Sequence, residues 1–223
     1  MNIDFNNLDA IISAGQPIWI LGIGAVLCIL LDAIFGNKAA GFIYGAGIAS
    51  LVASLYSTWQ LWLAPEKLAT QNLLVIDLFT LFFILLIGSI GIITLLNSYA
   101  YLKLQKSLSG EYCALILCSI IGMIFLFASN HLLVNFIGLE TMSLSIYVLV
   151  GSHRENIKSN EAALKYFVLG GVASAIMLYG IALFYGAFST LRLDILATLV
   201  AAEDLAYLKN IALGLLLLSL IHI

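Results

Sequence analysis

Long apolar stretches alternate with short polar ones along this chain, and the stretches have the length of a bilayer. A helix rises 1.5 Å per residue, so about 20 residues cross about 30 Å of hydrocarbon. Six runs reach that length: residues 17–35, 39–62, 73–96, 111–129, 130–150 and 161–187. A seventh begins near residue 209 and continues to residue 223, so it is expected to be incomplete. No segment alternates apolar and polar residues with the period of a strand. The pattern predicts an all-α integral membrane fold, with residues 1–223 forming one membrane domain.

Local signals sharpen the run boundaries. Pro17 suits the first turn of the first helix. Asn72 is expected to cap the third, and Glu111 falls in the first turn of the fourth, where the helix dipole favours a carboxylate. Glu161 is expected to open the sixth in the same way. Between residues 188 and 208, Leu191, Ile195, Leu199 and Leu205 are spaced like the apolar stripe of a helix lying on a surface.

Composition fixes the solvent. Hydrophobic residues make up 63% of the chain and charged residues 9%, against roughly a quarter charged in soluble domains. The mean hydropathy is +1.11. A net charge of −3 and the lack of any basic patch exclude nucleic acid as an expected partner. Cys28, Cys113 and Cys118 lie in apolar runs without metal-ligand spacing and read as small core residues. Residues 1–16 carry Asp4 and Asp9 and no Lys or Arg, unlike a cleaved signal peptide.

Basic residues in the connections set the expected orientation. With the N-terminus outside, Lys38, Lys103, Lys106, Arg154 and Lys158 fall inside, and Lys67 and Arg192 outside. The bias favours an N-terminus on the outer side.

Charges within the spans carry the candidate chemistry, because each is expensive in hydrocarbon. Glu140 lies at the middle of the fifth run, too deep for its short side chain to reach water. Desolvation favours its protonated form unless a cation stands nearby. It is a candidate proton-relay carboxylate; a buried structural ion pair is the bland alternative. Lys165, in the following antiparallel run, is its candidate partner, offset from it by roughly 10 Å along the helix axes. Its bland reading is a lysine reaching back to the surface. A lysine near a buried carboxylate keeps it charged, and withdrawing the lysine favours proton uptake, so a small displacement can move a proton.

The remaining ionisable groups are weaker candidates for a proton path or an interface. Asp32 and Asp77 sit near run ends, where solvation or capping is cheap. His131, near the outer face, titrates near neutrality and is equally suited to simple solvation. His153 and His222 join no constellation. Asn130, Asn135, Ser143, Ser145 and Tyr147 add polarity along the fifth run but do not share one face. Gly170, Gly171, Ser174 and Ala175 form small-residue pairs suited to close helix packing. No phosphate loop, dinucleotide fingerprint or metal cluster is visible, so no cofactor is expected in the chain itself.

Residues 110–193 resemble subunit N of bacterial NADH-quinone oxidoreductase, respiratory complex I. The segments FIGLE, LSIYVLVG and EAALKYF carry the likeness, and residues 17–109 fit more loosely. The resemblance implies a fourteen-helix fold built of two inverted five-helix repeats. It implies a proton path with a glutamate on the fifth helix and lysines on the sixth and seventh. Glu140 matches that glutamate and Lys165 the sixth-helix lysine. It also implies other membrane-arm subunits as partners, homologous antiporter-like subunits among them, in a lipid bilayer, with NADH, FMN, iron–sulfur clusters and quinone handled by other subunits. A bacterial inner-membrane location with a periplasmic N-terminus follows. By the same comparison the chain reads as a C-terminally truncated fragment, stopping before the seventh-helix lysine, with its last five or so residues unlike the family's continuation. Two other readings stand beside this one: a membrane subunit of a multi-subunit sodium/proton antiporter, and an assembly scaffold with a vestigial ion pair.

Overall fold

The computed structural model describes residues 15–64, 73–105, 109–199 and 206–222. Within them, six helices are long and apolar enough to cross a membrane: α1 (Gln16–Phe35), α2 (Ala40–Leu63), α3 (Leu78–Leu104), α4 (Gly110–Ala128), α5 (Leu132–Val150) and α6 (Ile157–Phe188). A short helix, α7 (Leu193–Leu199), and an apolar helix, α8 (Ala206–His222), follow. Of the surface-helix stripe expected between residues 188 and 208, Ile195 and Leu199 fall on α7, Leu191 precedes it, and Leu205 lies outside the described residues. No strand forms among the described residues, which hold two isolated bridges.

Several helix starts differ from the run boundaries, each for a local reason. The third helix begins at Leu78, not residue 73. Its cap is Asp77, in extended backbone, whose Oδ1 accepts the Thr80 N–H at 2.8 Å. The preceding residues pair with the chain after α4 instead: Val75 N–H donates to Ala128 O at 2.6 Å, and Asn130 N–H to Leu73 O at 3.0 Å. Asp77 is thus a capping residue outside the helix, and Asn72 lies outside the described residues. Asn130, spent on that pairing, leaves α5 to start at Leu132. Asn156 caps α6, its Oδ1 accepting the Lys158 N–H at 3.0 Å, so this helix begins four residues before Glu161. Glu161 therefore sits in the second turn rather than the first. Glu111 occupies the first turn of α4, as expected.

Helices α1 to α4 form one bundle. Helix α1 packs on α2 and α4, α2 on α3, and α4 on both α3 and α5. Leu51, Leu81, Leu95, Leu117, Cys28 and Cys113 are fully buried there, which accords with reading those two cysteines as core. Apolar side chains elsewhere remain exposed along every span, as a lipid-facing surface requires. Helix α5 then hands the chain to a second layer, in which α6 packs on α5 and α8. Small core clusters join the layers, one around Leu139, Met177 and Ile181, another around Phe184, Leu196 and Ala212.

The α4–α5 contact is the closest approach of two backbones near the candidate site. A methyl group added at Gly122 would stand 2.5 Å from Met142 N and 2.6 Å from Gly138 O. One added at Gly138 would stand 2.9 Å from Gly122 O. Lipid supplies no hydrophobic drive between helices, so such small-residue crossings carry the dispersion contact instead. Gly138 precedes Glu140 by two residues, and the crossing therefore sets the depth and rotation of that carboxylate.

Candidate functional site

Glu140 lies near the middle of the 19-residue α5, roughly 12 Å from the helix start at 1.5 Å per residue. It is partly buried. The partner the structure gives it is Ser174 of α6, whose Oγ donates a hydrogen bond to Glu140 Oε1. Ser174 is itself buried, at 8% exposure. A hydroxyl can serve a carboxylate as donor or a carboxylic acid as acceptor, so this contact fits either protonation state.

From Glu140 onward, the polar residues of α5 divide into two groups. Thr141 and Ser145 return their hydroxyls to the helix, donating to Ile137 O at 2.8 Å and Thr141 O at 2.7 Å. Glu140, Ser143 and Tyr147, three and four residues apart in turn, share the stripe that faces α6. Ser143 and Tyr147 are buried, one turn apart, on the side of Glu140 that runs toward the connection between α5 and α6. The Tyr147 ring packs edge-on against Tyr166, with centroids 4.7 Å apart, and against Phe167 at 6.0 Å. A side chain at Gly170 would collide with the Tyr147 hydroxyl. The Gly170–Ser174 pair thus serves the site directly, one residue by leaving space and the other by donating a bond. Gly171 meets nothing within 4 Å, and Ala175 is exposed, so their expected packing partner is absent among the described residues.

Lys165 takes a different neighbour from the one its sequence position suggested. Its Nζ bonds Glu161 Oε1 at 2.5 Å, one turn back on the same helix, with both side chains more than half exposed. The Ser174–Glu140 bond fixes the register of α6 against α5, and nine residues separate Lys165 from Ser174. Lys165 therefore stands about 13 Å along the helix from the Glu140 level, beside the turn that carries Tyr147. The structure places Glu140 and Lys165 on facing helices and does not bring them into contact.

The weaker candidates separate by role. Asp77 is the cap of α3 described above. His131 caps α5, its Nδ1 accepting the Leu133 N–H at 3.3 Å, while its backbone bonds the Ser129 hydroxyl twice, at 2.8 and 3.0 Å. An accepting Nδ1 assigns the neutral ring's proton to Nε2. Asp32 lies one turn from the end of α1, its Oδ1 buried without a partner. Near it, at the start of α4, Arg154 and Glu111 form an exposed pair at 3.4 Å, of a kind that adds little stability. Of the α5–α6 site, Ser174 and Gly170 were given only a packing role from sequence. A pairing of Ser174 with Glu140 is visible once the antiparallel register is known, and no local motif announces it.

Known proteins align with this architecture. Residues 129–222 match the family profile described as "NADH:quinone oxidoreductase/Mrp antiporter, TM", a stretch that holds Glu140, Lys165 and Ser174. NADH-quinone oxidoreductase subunit N 1 of Solibacter usitatus is 36% identical over 192 residues, covering 86% of this chain and 39% of that protein. A chain of respiratory complex I from Thermus thermophilus superposes with a TM-score of 0.72 at 31% identity, covering 92% of this chain and 43% of its own length. A chain of the Mrp complex from Dietzia sp. DQ12-45-1b gives the same TM-score, 0.72, at 19% identity, a likeness of fold alone. The chain spans about two fifths of the length of the curated relatives it matches.

Proposed function

Because this chain belongs to the antiporter-like membrane subunits that include NADH-quinone oxidoreductase subunit N, we propose that it forms part of the membrane arm of a proton-pumping NADH:quinone oxidoreductase. In this reading it carries a segment of a proton path, and other subunits hold NADH, FMN, the iron–sulfur clusters and quinone and perform the redox chemistry. Homologous antiporter-like subunits are its neighbours in the bilayer of a bacterial inner membrane. The N-terminus faces the periplasm, in line with the bias of basic residues.

The observation that carries this reading is Glu140, an ionisable group at mid-span held by a hydroxyl from the facing helix. A structural carboxylate has no need of such depth, where charge is costly. Glu140 takes up and releases the proton, and Ser174 holds its Oε1 in both states by reversing the sense of the hydrogen bond. Tyr147 and Ser143 extend the polar stripe from Glu140 toward the connection between α5 and α6. Lys165 stands at the far end of that stripe, paired with Glu161. At about 13 Å and an effective dielectric constant of about 20, a cation acts on Glu140 with on the order of 1 kcal/mol. Release of Lys165 from Glu161 therefore biases the carboxylate, and a move toward it biases it more. The sodium/proton antiporter reading uses the same groups; the higher identity to the complex I chain, 31% against 19%, favours the first.

The test is NADH-driven proton uptake in membrane vesicles carrying the full-length parent or its Glu140→Gln variant, with NADH oxidation followed in parallel. Uptake should collapse in the variant while the complex still assembles. Unchanged uptake per NADH would sink the proton-path reading and leave a structural carboxylate.

A further inference from the structure

A second polar site lies away from Glu140, at the end of the bundle where α1 meets α2 and α3 meets α4. Asp32 of α1 and Tyr44 of α2 each bury an oxygen that has no hydrogen-bond partner, Oδ1 in the first and Oη in the second. Tyr44 is 2% exposed. Cys28 Sγ, one turn before Asp32, donates to the Ile43 carbonyl at 3.7 Å, which seats this stretch of α1 beside Tyr44. The Asp32 side chain is pressed against the start of α4, where a methyl group on Gly110 would stand 2.6 Å from Asp32 Cβ. That contact fixes the carboxyl from the α4 side.

Leaving either oxygen dry costs roughly 1–3 kcal/mol, and native interiors meet such groups with ordered water that has two to four polar partners. A metal cation asks for more oxygens than the two free here. We propose that a single water molecule is bound between Asp32 Oδ1 and Tyr44 Oη, bridging α1 to α2. The water donates one O–H to the carboxyl oxygen, and Tyr44 donates to the water.

Two tyrosine rings stand between the bridge and the surface. Exposed Lys103 stands over the Tyr99 ring at 5.7 Å, the Tyr99 and Tyr44 rings lie 5.4 Å apart, and Tyr44 leads through the water to Asp32. The first four helices then hold a hydrated carboxyl group of their own, separate from the α5–α6 stripe. This inference does not depend on the redox complex proposed above.

The test uses the full-length protein isolated in its native assembly. Electron cryomicroscopy at a resolution that shows water should place a peak within about 2.6–3.2 Å of both oxygens. In parallel, thermal unfolding is measured for Asp32→Asn, Tyr44→Phe and the double variant. A shared water makes the loss in Tm of the double variant clearly smaller than the sum of the single losses. A direct Asp32–Tyr44 hydrogen bond, or no peak together with additive losses, would overturn the proposal. Should one single variant fail to accumulate, the parent map alone still decides.

Discussion

Ser174 on α6 donates its hydroxyl to Glu140 on α5, a side-chain to side-chain hydrogen bond that ties the two helices at mid-span. It makes Ser174 a positioning residue whose effect passes through Glu140. Replacing it with alanine leaves a partly buried carboxyl oxygen without its donor, a change that costs roughly 1–3 kcal/mol. Ser174→Ala should lower proton uptake per NADH several-fold, with Ser174→Thr closer to the parent. The discriminating measurement is epistasis. Ser174→Ala added to Glu140→Gln should change nothing further, because the serine then has no carboxylate to hold. A further drop in the double variant would show that Ser174 acts elsewhere.

Glu161 and Lys165 form an exposed pair one turn apart, a geometry worth at most a few tenths of a kcal/mol to the helix. Stability alone therefore predicts small and equal effects for Glu161→Gln and Lys165→Ala. The proton-path reading predicts an unequal pair. Lys165→Ala removes the cation at the end of the polar stripe and should depress uptake strongly. Glu161→Gln frees the lysine but keeps the cation at the end of the stripe, so its loss of uptake should be clearly smaller than that of Lys165→Ala. Equal small losses in the two variants would remove Lys165 from the path.

Gly122 and Gly138 touch backbone to backbone where α4 crosses α5. A Cβ at Gly122 must push the helices apart, because the atoms it meets are main-chain nitrogen and oxygen that cannot swing away. Overpacking of this kind costs about 1–3 kcal/mol or more. Gly122→Ala should lower the amount of protein in the membrane and its thermal stability, and Gly122→Val should do so further. Gly171→Ala, which meets nothing within 4 Å, is the matched control and should behave as the parent. Parental stability in Gly122→Ala would mean that the crossing is looser than described.

Much of this was legible in the sequence because lipid imposes simple rules. Six spans follow from run length, part of the stripe after α6 is helical as its periodicity predicts, and Glu140 stands out because a carboxylate at mid-span has no cheap explanation. What escaped was set by tertiary register. Asp77 looked like a residue inside a helix, since nothing local shows that residues 73–75 pair with the chain after α4. Ser174 and Gly170 looked like packing residues, since their partners Glu140 and Tyr147 lie on another helix, more than 20 positions away. Lys165 looked close enough to reach Glu140 with helix tilt, whereas an i, i+4 carboxylate lies within reach at far lower entropic cost.

Arg192 and Asp194 brace the turn that joins α6 to α7. The guanidinium grips the carboxylate with two donors, Nη2 to Oδ2 at 2.6 Å and Nε to Oδ1 at 3.1 Å, and Asp194 Oδ1 also accepts the Ile195 N–H at 2.9 Å. The Arg192 bond, first among the causes, holds the Asp194 carboxyl below its ordinary range, and the same bond holds Arg192 above its own. A carboxylate depressed in the folded state contributes stability above its unfolded value, about 3.9, and loses that contribution as pH falls through the lower folded value. The contribution is small and local, because both groups are open to solvent. Hydrogen-exchange protection of the α7 amides, corrected for intrinsic rates, should hold steady from about pH 7 to about pH 5 and fall below about pH 4. Asp194→Asn removes the titrating group and should show lower protection with no fall in that range. An equal acid-induced fall in the variant would assign it to another carboxyl group and leave Asp194 as a local cap only.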